Sequence, residues 1–371
     1  MASMDTVTRK SGPDGYKVKW REDGVQRSMT FDDRQQAELL RKFLTANGNR
    51  FELAESAAAS AMAAGPTLAE TIEEHITGLT GIEERTRADY RRDARLHIVP
   101  YLGQLRTSTL GRRDIKAWVN GVHAEGSAPK SIANWHALLS AVLTTAMNEG
   151  LRPDNPCKGV RLPERDRRDD HEVFMEPEEY RALLAHIPAP WQPLVETLAG
   201  TGARWGEVTA LQVQDLVTAG AVPFVRIAKA WKKDAHGRPY LSRPKTRRSL
   251  REVTISPALA ERLAELAAGR GSGQFLLQSP TGRPVSYNYF HGRVWQPAMD
   301  RAVAAGDLRA RPKIHNLRHS HGSWLIAEGL DLMAVQRRLG HESITTTTNI
   351  YGHISARTER AAAEAMTRAL G

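Results

Sequence analysis

Two stretches that lack a regular apolar pattern divide the chain of 371 residues into three blocks. Residues 57–65 (AAASAMAAG) are rich in alanine, uncharged and followed by a proline, whereas residues 161–172 (RLPERDRRDDHE) are charged and poor in apolar side chains. Both compositions are typical of linkers. The length is consistent with two to three domains of about 150 residues each. We therefore predict domains at residues 1–56, 67–160 and 173–371, with linkers at 57–66 and 161–172.

The composition argues against several classes of protein. A single cysteine, Cys157, excludes an internal disulfide framework and a cysteine-rich zinc site. Residues 1–12 contain no apolar segment of the kind found in secretory signals, and no stretch approaches 18 uncharged apolar residues. We expect a cytoplasmic protein with no membrane partner.

The first block has the pattern of a small sheet followed by one helix. Residues 16–20 alternate between apolar and lysine side chains, which predicts a half-exposed strand. Asp23-Gly24 is a hairpin signal, and Val25–Phe31 supplies the return strand. Asp32 or Asp33 then caps a helix that runs to about residue 43.

The second block is predicted to be entirely helical. Thr67 and Glu70 have the spacing of a capping box, in which each residue satisfies an N–H group of the other. Apolar periodicity predicts helices at about residues 68–79, 84–98, 112–124 and 129–149.

The third block mixes both kinds of element. We predict strands within residues 222–231 and at 251–255, with a polar turn between them. Helices are predicted at about residues 177–187, 191–200, 257–268, 287–305, 316–328, 331–338 and 355–369.

The net charge of +10 is concentrated in the third block. Residues 171–371 carry 26 basic and 18 acidic residues, which is eight of the ten net positive charges. Residues 226–251 contain ten basic residues and a single acid, Asp234. Such a local excess favours a polyanionic partner, although a solvated surface explains the charge alone equally well.

Two short motifs place an arginine three residues from a second polar group. In TGARWGE, Arg204 and Glu207 share a helix face, with Thr201 as a candidate cap between two glycines. In HNLRH, His315 and Arg318 have the same spacing, and either His315 or Asn316 opens the helix. Taken singly, each motif is more simply explained as an ordinary charged helix start.

A third region combines a histidine with a tyrosine. Gly340 ends a helix and is followed by His341, and Tyr351 lies ten residues later. The β-branched run Ile344–Thr348 has poor helix propensity and is read as a loop. A lone tyrosine is usually a packing residue.

Together these groups form a chemical set of two arginines, two histidines, a tyrosine and a lysine from the basic strand region. Guanidinium groups bind phosphate oxygens in a bidentate manner, tyrosine can act as a covalent nucleophile, and histidine can donate or accept protons. No metal-ligand spacing and no phosphate-binding glycine loop is present. The set predicts phosphoryl transfer from DNA to a protein hydroxyl, with no metal and no cofactor.

The strings TGARWGEVTAL, PKTRRSLREV, HNLRHSHGSWL and LGHESITTTTNIYGH resemble, in order, the four signature boxes of the tyrosine recombinases, the phage integrase family. Residues 67–160 resemble the helical core-binding domain of that family, and the first block resembles the arm-binding domain of lambda-type integrases. The resemblance implies a multidomain α+β fold. Its parts are a small N-terminal sheet with a helix, an all-α core-binding domain, and a mainly α catalytic domain with a small sheet.

The resemblance also implies roles for individual residues. Arg204, Arg318 and His341 would bind the scissile phosphate, His315 would complete the second box, and Glu207 would brace Arg204. Tyr351 would be the nucleophile. Lys245 would protonate the leaving 5′ oxygen, although Lys229, Lys232 and Lys233 lie nearby. Asn316 replaces the aspartate that the family usually has, which we expect to alter the helix cap and not the chemistry.

The implied partners are double-stranded DNA with core-type and arm-type sites, three further copies of the chain in a tetramer on DNA, a host DNA-bending protein and an excisionase. Candidate DNA contacts are Lys17, Lys19, Arg21, Arg27, Lys130, Arg247 and Arg248. The alternatives are a Xer-like resolvase, a tyrosine topoisomerase, and a DNA-binding regulator built on an inactive recombinase. The N-terminal block argues against the first two, and the complete residue set argues against the third.

Overall fold

The computed structural model describes residues 2–8, 14–46, 48–51, 65–164, 173–242, 250–351, 366–368 and 370. It is a mixed α+β structure that separates into two compact units, Met1–Arg167 and Arg168–Gly371. No helix in the described part of the chain is long and apolar enough to cross a membrane. The predicted boundaries of the three domains stay predictions.

The first block forms the predicted sheet and helix. Three antiparallel strands are ordered β1 (Ser3–Val7), β2 (Gly15–Glu22) and β3 (Val25–Phe31), and they precede α1 (Arg34–Ala46). The Asp23-Gly24 turn has φ angles of 49° and 80°, which suits a tight hairpin. Asp33 caps α1, since its carboxylate accepts from the Gln35 N–H at 2.6 Å.

Strand β1 was not predicted, because its sequence SMDTV has no clear apolar alternation. Its pairing with β2, in which Ser3 faces Lys19 and Val7 faces Gly15, holds it in the sheet. The alternation of β2 buries Val18 and Trp20 against the buried face of α1, where Leu40 and Leu44 lie. The lysines of β2 consequently lie on the opposite face of the sheet.

The four predicted helices of the second block are confirmed. They are α2 (Leu68–Gly78), α3 (Glu84–His97), α5 (Arg112–Ala124) and α6 (Pro129–Asn148), and a four-residue helix α4 (Val99–Leu102) follows α3. The capping box is present, because the Thr67 N–H donates to Glu70 at 2.8 Å and the Glu70 N–H donates to the Thr67 hydroxyl at 3.3 Å. Trp118, Leu139 and Leu143 are buried in the core between these helices.

The second unit consists of helices around a small sheet. Its helices are α7 (Pro177–His186), α8 (Gln192–Thr201), α9 (Trp205–Val208), α10 (Pro257–Ala267), α11 (Tyr287–Phe290), α12 (Gln296–Ala304), α13 (Asn316–Ala327), α14 (Leu332–Leu339) and α15 (Ile344–Tyr351). A π-helical turn, His291–Trp295, joins α11 to α12. The strands β4 (Leu216–Val217), β5 (Phe224–Ile227) and β8 (Arg251–Thr254) form one antiparallel sheet, and β6 (Ala230–Lys233) pairs with β7 (Pro239–Ser242) in a hairpin.

Two local predictions in this unit were wrong. Thr201 does not begin a helix: α8 ends there, and Gly202 is its left-handed C-cap with φ of 63°. The threonine run is not a loop but the helix α15, whose start is capped by the Ser343 hydroxyl. Tertiary burial of Thr347 overrides the weak helix propensity of β-branched residues.

The predicted helix at residues 355–369 lies almost wholly outside the described residues, as does most of each predicted linker.

The core of the second unit places α8 against α13, and the C-terminal end of α14 lies near both. Three hydrogen bonds show this arrangement. The Arg318 guanidinium donates to the Gly202 carbonyl at 2.7 Å, His321 Nδ1 donates to the Ala199 carbonyl at 2.7 Å, and Arg338 donates to His321 Nε2 at 2.9 Å.

Candidate active site

Arg204 lies at the N-cap position of α9, where its backbone is extended. Its side chain is 45% exposed. The predicted pair with Glu207 is present, with 3.2 Å between the guanidinium and the carboxylate. The same carboxylate accepts from the Arg204 backbone N–H at 2.8 Å. Glu207 therefore fixes both the start of the helix and the direction of the arginine.

Glu207 is buried and is held by a second arginine, Arg251, which donates to its two oxygens at 3.3 and 2.9 Å. Burial alone would raise the Glu207 pKa, but the hydrogen bonds and charge of Arg251, together with Arg204, lower it below its usual value. Glu207 thus remains ionised. Arg251 also donates to the Arg338 carbonyl at 2.9 Å, so it connects β8 with both α9 and α14.

Sequence reasoning counted Arg251 only as part of the basic segment and missed this contact. A signal was available, because alternation along β8 puts Arg251 on the same face as the buried Val253. An arginine at an inward-facing strand position predicts a buried acidic partner.

Arg318 is only 2% exposed and has no carboxylate hydrogen-bond partner among the described residues. One terminal nitrogen donates to the Gly202 carbonyl, and the other, Nη2, is buried with no hydrogen-bond partner among those residues. Burial first, and then the positive charge of Arg204, lower the Arg318 pKa to about 9. A guanidinium with an unused donor is prepared to bind an anion.

His315 precedes Arg318 by one helical turn, and both line a cavity of about 110 Å³. The His315 ring lies edge-on to His319, with 4.8 Å between centroids. Asn316 accepts the Lys313 N–H at 2.7 Å through its side-chain oxygen. An aspartate could accept the same bond, so the expected effect of this departure on the helix cap stays a prediction. His321 is a structural residue, since both ring nitrogens are hydrogen-bonded within the fold.

His341 follows the left-handed Gly340, which ends α14 as predicted with φ of 69°. Its Nδ1 lies 2.9 Å from the buried Thr347 hydroxyl. Burial, followed by the charges of Arg318 and Arg204, lowers the His341 pKa to about 3. A neutral His341 whose Nδ1 accepts from Thr347 carries its proton on Nε2 and can donate it in a hydrogen bond.

Tyr351, the last residue of α15, is fully buried. Its hydroxyl lies 3.4 Å from the Arg318 carbonyl, and its ring packs near Phe174 with 6.1 Å between centroids. A Cβ at Gly322 would collide with the tyrosine ring and hydroxyl, so glycine is needed there for this placement. No sequence pattern indicated that requirement.

The structure therefore brings together side chains that are far apart in sequence: Arg204, Glu207, His315, Arg318, His341 and Tyr351. Lys245, Arg247 and Arg248 lie outside the described residues. Of the alternative lysines, Lys229 is held 3.0 Å from the buried carboxylate of Asp215. The described residues contain no group of histidine, cysteine or acidic side chains that could hold a metal ion.

The remaining candidate DNA contacts lie in the first unit. Lys17, Lys19 and Arg21 share the face of β2 that is turned away from α1. Lys19 pairs with Asp5 at 2.7 Å, and Arg27 pairs with Glu22 at 3.1 Å. Lys130, in the first turn of α6, is exposed.

Comparisons with known proteins identify the family of the chain. Residues 173–358 match the phage integrase family. The ICEBs1 integrase of Bacillus subtilis is 28% identical over 274 residues, which cover 70% of this chain and 71% of the relative. Tyrosine recombinase XerD of Caulobacter vibrioides is 28% identical over 250 residues, 65% of this chain and 76% of the relative.

Solved structures share the fold. The Tn1549 transposon integrase in complex with a circular intermediate DNA superposes with a TM-score of 0.71 and 20% identity, over 81% of this chain and all of that one. A lambda integrase dimer bound to a COC′ core site gives a TM-score of 0.57 and 19% identity, over 93% of each chain. The protein is a site-specific tyrosine recombinase, an enzyme that cuts and rejoins DNA through a tyrosine intermediate. It belongs to the phage integrase family.

Proposed function

We propose that the protein is the integrase of a phage or another mobile element, with Tyr351 as its nucleophile. The main support is the position of the Tyr351 hydroxyl, 3.4 Å from the backbone carbonyl of Arg318. The buried guanidinium of Arg318 has one nitrogen, Nη2, with no hydrogen-bond partner among the described residues. The hydroxyl therefore lies next to the backbone of the residue whose guanidinium can bind a phosphate oxygen, and attack on a phosphodiester requires a nucleophile and a cation at the same phosphate.

In the proposed reaction the Tyr351 hydroxyl releases its proton to solvent, its oxygen attacks the scissile phosphorus and the bond to the 5′ oxygen breaks. The products are a 3′-phosphotyrosine and a free 5′-hydroxyl, which takes its proton from Lys245. Arg204, Arg318 and His341 stabilise the negative charge that accumulates on the phosphate oxygens. The phosphodiester energy remains in the covalent link, so the 5′-hydroxyl of a partner strand can reverse the step without ATP.

The roles of Glu207 and Arg251 are indirect. The Glu207 carboxylate accepts hydrogen bonds from both the backbone N–H and the guanidinium of Arg204, so it limits the arginine to one direction. Arg251 neutralises the carboxylate that would otherwise weaken the positive field at the phosphate. Both act as positioning residues.

Binding to double-stranded DNA is supported by the neighbouring structures, which are DNA complexes. We assign arm-type sites to the outer face of β2 and core-type sites to the helical block and the second unit. Each lysine or arginine that neutralises a phosphate should contribute about −0.9 to the slope of log affinity against log salt.

We further propose a homotetramer on DNA, assisted by a host DNA-bending protein and an excisionase, in the cytoplasm of a bacterial host. A lambda integrase tetramer bound to a Holliday junction has the same fold.

The sheet and helix that precede residue 67 favour an integrase over a Xer-like resolvase or a topoisomerase, because those proteins generally lack such a block.

The test is to trap covalent adducts in cells. The full chain is expressed with DNA that carries the flanks of its own gene, adducts that survive denaturation are recovered, and the attached ends are sequenced. We expect adducts at one discrete site from the wild type and none from Tyr351→Phe.

Each other outcome has a defined meaning. Adducts from Tyr351→Phe would overturn the assignment of the nucleophile. Adducts scattered without sequence preference would favour a topoisomerase. DNA binding without adducts from the wild type, with the bending protein and excisionase supplied, would indicate an inactive scaffold.

A further inference from the structure

Two cavities of the second unit share a wall made by Trp205 and Tyr287. The smaller one, about 110 Å³, also contains His315 and Arg318. The larger one, about 480 Å³, extends from the same two rings to the β6–β7 hairpin. We call the larger cavity the aromatic cleft. A ligand in it would lie directly beside the position proposed for the scissile phosphate.

The two aromatic rings are held in place but remain accessible. The Tyr287 ring lies edge-on to Trp205, with 5.3 Å between centroids and 88° between planes. It also stacks with His291, with 5.6 Å between centroids and 17° between planes. Tyr287 is nevertheless 46% exposed. An ordered ring that is half open to solvent is suited to stack with a flat ligand.

The floor of the cleft is rigid. Trp231 donates from its indole nitrogen to the Thr209 carbonyl at 3.1 Å, which fixes β6 against α9. A Cβ at Gly206 would lie 3.2 Å from the Trp231 carbonyl oxygen, so the backbones approach closely there. The cleft is therefore preformed by the same helix that begins at Arg204.

The charge of the cleft favours a nucleotide. Its lining includes Lys232 and Lys233, and no acidic side chain among the described residues. Ser286 and Asn288 add a hydroxyl and an amide that can contact base edges. Aromatic rings combined with cations are the surface on which single-stranded nucleic acid is bound.

We propose that the aromatic cleft binds the base of the nucleotide whose 5′ oxygen leaves when the strand is cut. This proposal rests on the proposed function, because the adjacent phosphate must lie at His315 and Arg318. The 5′ side is chosen because Lys245, the proposed proton donor to that oxygen, belongs to the same basic segment of the sequence, residues 226–251, as β6 and β7. The base would stack against Tyr287 once it no longer stacks on the adjacent bases of the duplex. This stacking would keep the released 5′-hydroxyl end in place for strand exchange.

The experiment uses the full-length Tyr351→Phe protein and the core site found by adduct sequencing, so that binding is measured without cleavage. The first nucleotide on the 5′-hydroxyl side is left unpaired and is either a normal nucleotide or an abasic one. Stacking of one base on an aromatic side chain should give the normal site an advantage in affinity on the order of tenfold or more.

Tyr287 is then changed in that background. We expect Tyr287→Ala to abolish the difference between the normal and abasic sites, and Tyr287→Phe to retain it. Tyr289→Ala is the matched control, since Tyr289 lies on the same helix, is 53% exposed and does not line the cleft. Thermal melting of each variant checks that the fold is preserved.

The inference is overturned if the parent protein does not distinguish the two sites, or if Tyr287→Ala and Tyr289→Ala behave alike. These failures differ from a failure of the proposed function, in which the wild type would form no adduct at any discrete site.

Discussion

Arg204 and Arg318 are predicted to bind the same phosphate, but the structure holds them in opposite ways. Arg204 is 45% exposed and is paired with the carboxylate of Glu207, which a third arginine neutralises. Arg318 is 2% exposed, bonds only to a backbone carbonyl among the described residues, and has an unused donor there. The comparison suggests a division of labour: Arg204 is oriented before DNA binds, whereas Arg318 is a buried charge that the phosphate would satisfy.

The difference has a physical consequence. A buried cation without a counter-ion is costly, and the lowered Arg318 pKa of about 9 reflects that cost. Binding of a phosphate would recover part of it. Arg318 should therefore contribute more to phosphate affinity and to catalysis than Arg204.

The largest effect is expected for Arg318→Lys. The guanidinium can direct one nitrogen at the Gly202 carbonyl and another at a phosphate, whereas all N–H groups of a lysine lie on a single nitrogen. Formation of the covalent adduct should therefore slow by about 10²- to 10³-fold. Single-turnover cleavage of the core site measures this rate. Arg181→Lys, on the exposed surface of α7, is the control. A loss at Arg204→Lys that exceeds the loss at Arg318→Lys would reverse the comparison.

A smaller effect, on stability, is expected for Arg251→Gln. The change leaves Glu207 buried without its main partner, which should lower the free energy of unfolding by about 3 kcal/mol. Urea unfolding of the full chain measures it. Adding Glu207→Gln removes the buried charge, so the double variant should recover part of the loss. Glu252→Gln, on the exposed face of β8, should change little. Strict additivity of the Arg251 and Glu207 changes would contradict the proposed coupling.

The smallest effect concerns acid stability near Arg318. Burial, and then the charge of Arg338, lower the His321 pKa to about 4, below the unfolded value of about 6.5. Because the folded pKa is the lower one, this stabilisation is complete above about pH 6.5 and is lost as the pH falls toward 4. At pH 5 the loss should be about 2 kcal/mol. In His321→Gln, the free energy of unfolding, measured by urea unfolding at each pH, should fall by about 2 kcal/mol less between pH 7 and pH 5 than in the wild type. An unchanged pH dependence would refute the assignment.

Local sequence signals predicted much of the fold. The helices of the second block were correct to within one or two residues, because capping residues and apolar spacing act over a single turn. The contact of Arg204 with Glu207 and the C-cap at Gly340 were predictable for the same reason. Strand β1 and the helix α15 were not, since ladder pairing and burial of Thr347 decided them.

The sequence by itself determined the chemical set and the order of its members along the chain. Only the tertiary structure decided that Arg251 reaches Glu207 across 44 positions, and that Tyr351 lies against Gly322 and the Arg318 backbone. The reason is the range of the forces involved. Periodicity and caps are satisfied by neighbours in the chain, whereas the partner of a buried charge or ring is fixed only when distant segments have packed together.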